Sequence, residues 1–218
     1  MHVNIRLDWP KITPLKPIYF VVLAAGLSVR FGRNKLVEKV DGIPIVAHVV
    51  QAGQGAGLDH TVVVTGHERE RVVQALSGFN FEEVHNPDYV QGMSTSLKAG
   101  ARYVKDKAHA IVISPGDMAF ATPHLYRVVL DEFARSRNDI VVASYHGRNG
   151  HPILLDSNTF DDLLQISEEK RGLKEVIEKH RNAITYVETS TPRALLDIDY
   201  ESDFQRAANE LKLEEGRG

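Results

Sequence analysis

The stretch "VVLAAGLSVRFGRNKL", residues 21–36, decides how the rest of the chain is read. An apolar run ends in Ala24-Ala25-Gly26, and Arg30 and Lys35 then stand on either side of a second glycine, Gly32. Small residues at a strand end let backbone N–H groups come close to an anion. Arg30 adds a planar fork for phosphate oxygens and Lys35 a mobile point charge. The spacing is neither the Walker pattern G-x-x-x-x-G-K-[ST] nor the dinucleotide pattern G-x-G-x-x-G. On spacing alone, an anion-binding turn and a plain strand-ending turn with two solvated cations both stay open.

Outward from this stretch, short apolar runs recur at 18–24, 61–66, 109–114 and 139–144, with weaker ones at 79–85, 151–155 and 183–188. Their near-continuous apolar character suits a sheet buried on both faces. Helical patterns fall between them, at 43–53, 68–78, 96–106, 123–136, 171–180 and 201–211. Thr122-Pro123 reads as an N-cap followed by a first-turn proline. This alternation predicts an α/β fold: a three-layer α/β/α sandwich around a Rossmann-like, mostly parallel sheet, with ligands along the edge where strands end. "AGQGAGLD", 52–59, invites a nucleotide-loop reading, but it follows a helix rather than a strand, so a helix end and connector explain it better. Residues 18–213 read as one domain. "MHVNIRLDWPKITPLKP", 1–17, lacks a leader's apolar core and reads as an N-terminal arm.

Composition narrows the function. Of 218 residues 43% are hydrophobic and 25% charged, an ordinary globular balance. A net charge of -3 argues against nucleic acid held on a broad basic face. The absence of cysteine removes disulfides, thiolate metal sites and cysteine nucleophiles. No apolar run approaches the ~18 residues of a membrane span. A cytoplasmic protein without membrane or nucleic-acid partners is expected.

Further stretches could carry chemistry. "SPGDMAF", 114–120, places Asp117 just past a strand, where a carboxylate can serve Mg²⁺ or simply make a turn with Gly116. "NPDYVQGMSTSL", 86–97, ends a strand and opens a helix; Asn86 could read a base, and free N–H groups near Ser94 could face a ligand, although capping alone explains the serines. "GRNGHPILL", 147–155, is a glycine-flanked turn with His151 at the mouth of a strand, and no second histidine stands at metal spacing. In "LLDIDYESDF", 195–204, period-two spacing puts Asp197 and Asp199 on one face.

Taken together, "LAAGLSVRFGRNKL" resembles the nucleotidyltransferase signature L-A-A-G-x-S-x-R-x-G-x-x-K. "GMSTSLKAG", "GDMAF", "GHPILL" and "LDIDYESDF" follow in the order found in molybdenum cofactor cytidylyltransferases. The likeness spans roughly residues 18–207. It departs at Ala119, where the family usually has proline, at Tyr200-Glu201-Ser202, where it has a Thr-Pro-containing motif, and before Arg171-Gly172, where its G-D-x-G stretch is lost. The resemblance implies a fold of the nucleotide-diphospho-sugar transferase type. It also implies transfer of CMP from CTP to the phosphate of molybdopterin, with Mg²⁺, or Mn²⁺ as its alternative, held by Asp117 and Asp199. Lys35, Arg30 and Asp117 would be catalytic. Leu23, Ala24, Ala25, Gly26, Arg30, Lys35, Thr65, Gly66, Asn86, Gly92 and Ser94 would bind the nucleotide, and Gly150, His151 and Pro152 the acceptor. A molybdoenzyme or its maturation factor would be the protein partner. Transfer of another nucleotidyl group, guanylyl above all, or carriage of molybdopterin without catalysis are the competing expectations. Ala25 favours CTP, because guanylyl relatives more often read L-A-G-G.

Overall fold

A computed structural model describes residues 16–200 together with 202 and 203. The opening apolar run becomes β1 (Ile18–Ala24), the middle of the sheet. Its side chains alternate: Phe20, Val22 and Ala24 enter one buried cluster, Tyr19 and Val21 the other. A 3₁₀ turn, Lys35–Val37, and a short ribbon of β2 (Lys39–Val40) and β3 (Ile43–Pro44) lead into α1 (Ile45–Gly55). There follow β4 (His60–Thr65), α2 (Arg69–Ala75), β5 (Glu82–His85), α3 (Met93–Val104), β6 (Ala110–Pro115) and α4 (Pro123–Ser136). The chain continues through β7 (Ile140–Tyr145), β8 (Arg148–Asp156), α5 (Phe160–Leu163), α6 (Leu173–Lys179) and β9 (Ile184–Glu188).

The main sheet has the order β5-β4-β1-β6-β8-β7-β9. Helices α1, α2 and α4 contribute buried residues to the cluster on one face, and α3, α5 and α6 to the cluster on the other. This is the expected mostly parallel sandwich. Gly53 shows how close the layers lie, since a Cβ there would meet the Phe20 ring at 2.2 Å. The glycine-rich stretch at 52–59 is, as expected, the end of α1 and a connector, with Gly57 at φ 94°. Thr122 caps α4 by accepting from the Leu125 N–H at 3.4 Å.

One departure matters for function. Strand β8 runs antiparallel to both of its neighbours, and it begins three residues earlier than the apolar run at 151–155 indicates. The turn is therefore His146-Gly147, not the whole of the glycine-flanked stretch. Both residues have positive φ, 49° and 71°, the geometry of a two-residue hairpin. Such a link is too short for a crossover, so the chain must reverse. The N-terminal arm, residues 1–15, and the helix expected at 201–211, apart from 202 and 203, lie outside the described residues.

Candidate active site

Parallel strands deliver their following loops to one edge of the sheet, and the reversed β8 delivers its first residues to the same edge. A cleft of about 660 Å³ opens there. Its walls come from the loop after β1, the segment Tyr89–Ser96, the Gly116–Asp117 turn, the start of β8, and the segment Ala194–Asp199.

The centre of the cleft is a cluster of opposite charges. Lys35 opens the 3₁₀ turn, which Asn34 caps by accepting from the Leu36 N–H at 3.1 Å, and buried Leu36 anchors it. The Lys35 N–H donates to Ser28 Oγ at 3.3 Å. Thus fixed, Lys35 Nζ lies 2.7 Å from Asp117 Oδ2 and 3.0 Å from Asp199 Oδ1, with only 13% of the side chain exposed. Arg30 Nη1 reaches the other oxygen of Asp199 at 2.7 Å, from a much more exposed position. Burial works against the Lys35 ammonium, but Asp117 and Asp199 outweigh it and hold its pKa above the ordinary lysine value. Gly116 lets the Asp117 turn approach β1: its N–H donates to the Leu23 carbonyl at 2.9 Å, and a Cβ would lie 3.0 Å from that oxygen.

Asp197 also lines the cleft, and burial together with the nearby Asp117 raises its pKa. Leu196 and Ile198, which alternate with Asp197 and Asp199, are buried, so the period-two alternation holds, although no strand forms there. The Ile198 N–H donates to the Asp117 carbonyl at 3.3 Å, tying the two acidic loops together. Buried Asp203, unassigned by the sequence reading, accepts from the Asp199 and Tyr200 N–H groups at 2.7 and 2.6 Å and so orients Asp199. His151 is half-buried in the cleft wall. Burial pushes its pKa down to about 4 against the opposing pull of Asp197, so it is neutral at physiological pH.

The donor set fits a hard divalent cation. Asp117 Oδ1 is buried without a hydrogen-bond partner, beside the Asp199 carboxylate that shares Lys35. Among the described residues no group of three or more His, Asp or Glu stands at metal-holding spacing. The protein's share would be one or two carboxylates, the number that Mg²⁺ takes when phosphates and waters complete its shell.

Of the nucleotide-binding residues expected from sequence, Leu23, Ala25, Gly26, Arg30, Lys35 and Gly92 line the cleft. Ala24 is buried in the core beneath it, Thr65 donates to Glu83 at 2.6 Å, and Gly66 packs against Tyr89 and Ala25. The Asn86 amide is engaged within the protein. Its Nδ2 donates to Thr95 Oγ1 at 2.8 Å and Ser96 Oγ at 2.9 Å, while its Oδ1 accepts from the Asp88 N–H at 3.0 Å. It buckles the end of β5 to α3. Nor is the Ser94 N–H free for a ligand, because it donates to Glu168 Oε1 at 2.5 Å. That carboxylate offsets the positive end of α3. Of the residues that the resemblance assigns to the acceptor, Gly150 and His151 line the cleft, and Pro152 is buried behind them.

The sequence reading also missed an apolar rim. Leu27, Val29, Val90 and Met93 all line the cleft and are all exposed. Each sits in or beside a loop, where no periodicity marks it. Arg148 and Asn149 were missed as well, for want of a signal beyond the neighbouring glycines.

Comparison with known proteins gives this geometry a context. The family described as MobA-like NTP transferase domain matches residues 20–184. The molybdenum cofactor cytidylyltransferase of Escherichia coli is 28% identical over 190 residues, covering 84% of this chain and 92% of that protein. The bifunctional protein GlmU of Micrococcus luteus is 27% identical over 188 residues; the match takes in 80% of this chain but spans only 35% of that longer protein. Among solved structures, a nucleotidyl transferase from Methanothermobacter thermautotroptrophicus superposes with a TM-score of 0.76 at 24% identity, covering 90% of this chain and 99% of that one. A Mycobacterium tuberculosis protein in complex with manganese gives 0.68 at 23%, covering 87% and 97%. These two likenesses carry the fold, that of the nucleotide-diphospho-sugar transferases. No helix among the described residues is long and apolar enough to cross a membrane.

Proposed function

We propose, from the premise that this chain is a nucleotidyltransferase and belongs to the MobA-like NTP transferase domain family, that it transfers CMP from CTP to the terminal phosphate of molybdopterin. The observation that carries the reading is the Lys35 ammonium held between Asp117 and Asp199 at the strand edge. The near full-length likeness to a cytidylyltransferase supports the choice of base and acceptor.

In this reaction a phosphate oxygen of the acceptor attacks the α-phosphorus of CTP. The bond from that phosphorus to the bridging oxygen breaks, and pyrophosphate leaves. The protein need supply no covalent nucleophile, only alignment and charge. Backbone N–H groups at Ala25 and Gly26 lie where the small side chains leave room for a nucleotide. Lys35 and Arg30 offset the charge that grows on the departing pyrophosphate. Leu27, Val29, Val90 and Met93 offer apolar surface to the flat rings of a base and a pterin. His151, neutral, can donate or accept one hydrogen bond without adding charge. Asp117 and Asp199 would hold a divalent cation, Mg²⁺ or Mn²⁺, which when bound supplies neutralisation of triphosphate charge and polarisation of the phosphoryl group.

The test is pyrophosphate release with Mg²⁺ and molybdenum-loaded molybdopterin, with CTP, GTP, ATP and UTP supplied in parallel. The expected result is release with CTP alone. Release with GTP alone would make the protein a guanylyltransferase. Saturable nucleotide binding without release would move the acceptor away from molybdopterin.

A further inference from the structure

We infer that Arg148 binds the anionic group of the acceptor, forming a second anion subsite in the cleft, separate from the one that Lys35 and Arg30 serve. This rests on the transfer reading above, which requires two phosphate-bearing substrates to meet in one cleft.

Three permanently cationic side chains line the cleft: Arg30, Lys35 and Arg148. Asp117 and Asp199 pair with the first two. The Arg148 side chain is exposed and, among the described residues, has neither a hydrogen bond nor an ion pair. Among these residues Asp197, the third carboxylate lining the cleft, makes no ion pair with Arg148, so the one cation of the three left unpaired lies on the β8 side. A guanidinium presents parallel N–H donors to two phosphate oxygens, a geometry that a lysine cannot reproduce.

The backbone that carries Arg148 is held from several sides. Register between β7 and β8 shifts between Val142 and Ser144, an irregularity of the kind that re-aims side chains beside active sites. The Glu188 carboxylate, at the end of β9, accepts from Ser144 Oγ at 3.0 Å and from the His146 N–H in the turn. These contacts hold its pKa below the usual glutamate value, the backbone of the turn contributing most. Two residues beyond Arg148, Gly150 packs so closely that a Cβ would lie 2.1 Å from the Ala194 carbonyl oxygen. Arg148 therefore shares a frame with the segment that presents Asp197 and Asp199. It is a cation on a positioned arm.

The experiment is calorimetric titration of inorganic phosphate into protein already saturated with Mg²⁺ and a non-hydrolysable α,β-methylene nucleoside triphosphate. The nucleotide fills the Lys35 side, so phosphate reports on the other. Wild type, Arg148→Gln and Arg148→Lys are compared, each with the cytidine, guanosine, adenosine and uridine analogues. Phosphate affinity is expected to fall about tenfold in Arg148→Gln and by less in Arg148→Lys, with nucleotide affinity unchanged in both. Equal phosphate affinity in wild type and Arg148→Gln overturns the inference, as does the absence of saturable phosphate binding in wild type. A nucleotide affinity that falls by the same factor as phosphate also overturns it, assigning Arg148 to the triphosphate. Failure of the transfer reading looks different: no analogue binds at all. If an analogue other than cytidine is the one that binds, the base assignment falls while the Arg148 comparison stands.

Discussion

The two walls of the cleft solve opposite electrostatic problems. On the wall built by the parallel strands β1 and β6, Lys35 and Arg30 are matched by Asp117 and Asp199, so the cluster is balanced before a substrate arrives. On the wall built by the reversed strand β8, Arg148 stands without a partner among the described residues and His151 is neutral. A balanced cluster has little pull on a bare triphosphate, because each cation already spends its field on a carboxylate. On the proposed reading, a triphosphate that brings its own divalent cation would face a different situation, since Asp117 and Asp199 would gain a partner and Lys35 would be released to phosphate. The β8 wall needs no such exchange to attract an anion. Cations in one cleft need not do the same work, and their pairing separates them.

The largest expected effect breaks the first wall. Asp117→Asn removes one carboxylate charge while leaving the shape and the Lys35–Asp199 pair. Turnover should fall about 10³-fold, some 4 kcal/mol of transition-state stabilisation, with an unchanged far-ultraviolet circular dichroism spectrum. Turnover within a few-fold of wild type would remove Asp117 from the chemistry. A smaller effect separates buckle from reader. Asn86→Ala should cost about 1–3 kcal/mol in urea unfolding, because it strips buried partners from Thr95, Ser96 and the Asp88 N–H, yet leave the ratio of CTP to GTP affinity as it was. A changed ratio with unchanged stability would return Asn86 to base recognition.

The smallest effect sharpens the second wall through pH. In the unfolded chain His151 takes up a proton near pH 6.5, but in the folded protein only near 4. Between those values the unfolded state binds more protons, so acid favours unfolding and stability falls as pH drops through the window. The raised pKa of Asp197 works in the opposite sense and is retained in both proteins compared. The urea midpoint of His151→Asn should therefore decline less than that of wild type from pH 6.5 to 4. Parallel profiles would show that His151 is not held neutral by its surroundings.

The first wall was more legible in the sequence than the second, for physical reasons. A parallel strand buried on both faces is a bare apolar run, and β1, β4, β6 and β7 stand close to where such runs occur. The loop after β1 carries its cations within a single stretch, so its chemistry is local. Its carboxylates are not: Lys35 and Asp199 lie 164 positions apart, and only the fold brings them together. The reversal of β8 depends on left-handed backbone at His146, a residue that rarely advertises a hairpin. The roles of Asn86 and Ser94 were not separable in the sequence, because buckling, capping and ligand binding use the same residue types. Thr95, Ser96 and Glu168 decide between those uses, and Glu168 comes from a distant part of the chain.

The most direct test of the balanced cluster is electron paramagnetic resonance of Mn²⁺ bound to wild type and to Asp117→Asn, each with and without CTP. CTP should strengthen Mn²⁺ binding to wild type, and Asp117→Asn should lose most of this coupled binding. Mn²⁺ bound equally well by both proteins, or bound to wild type with no dependence on CTP, would contradict it.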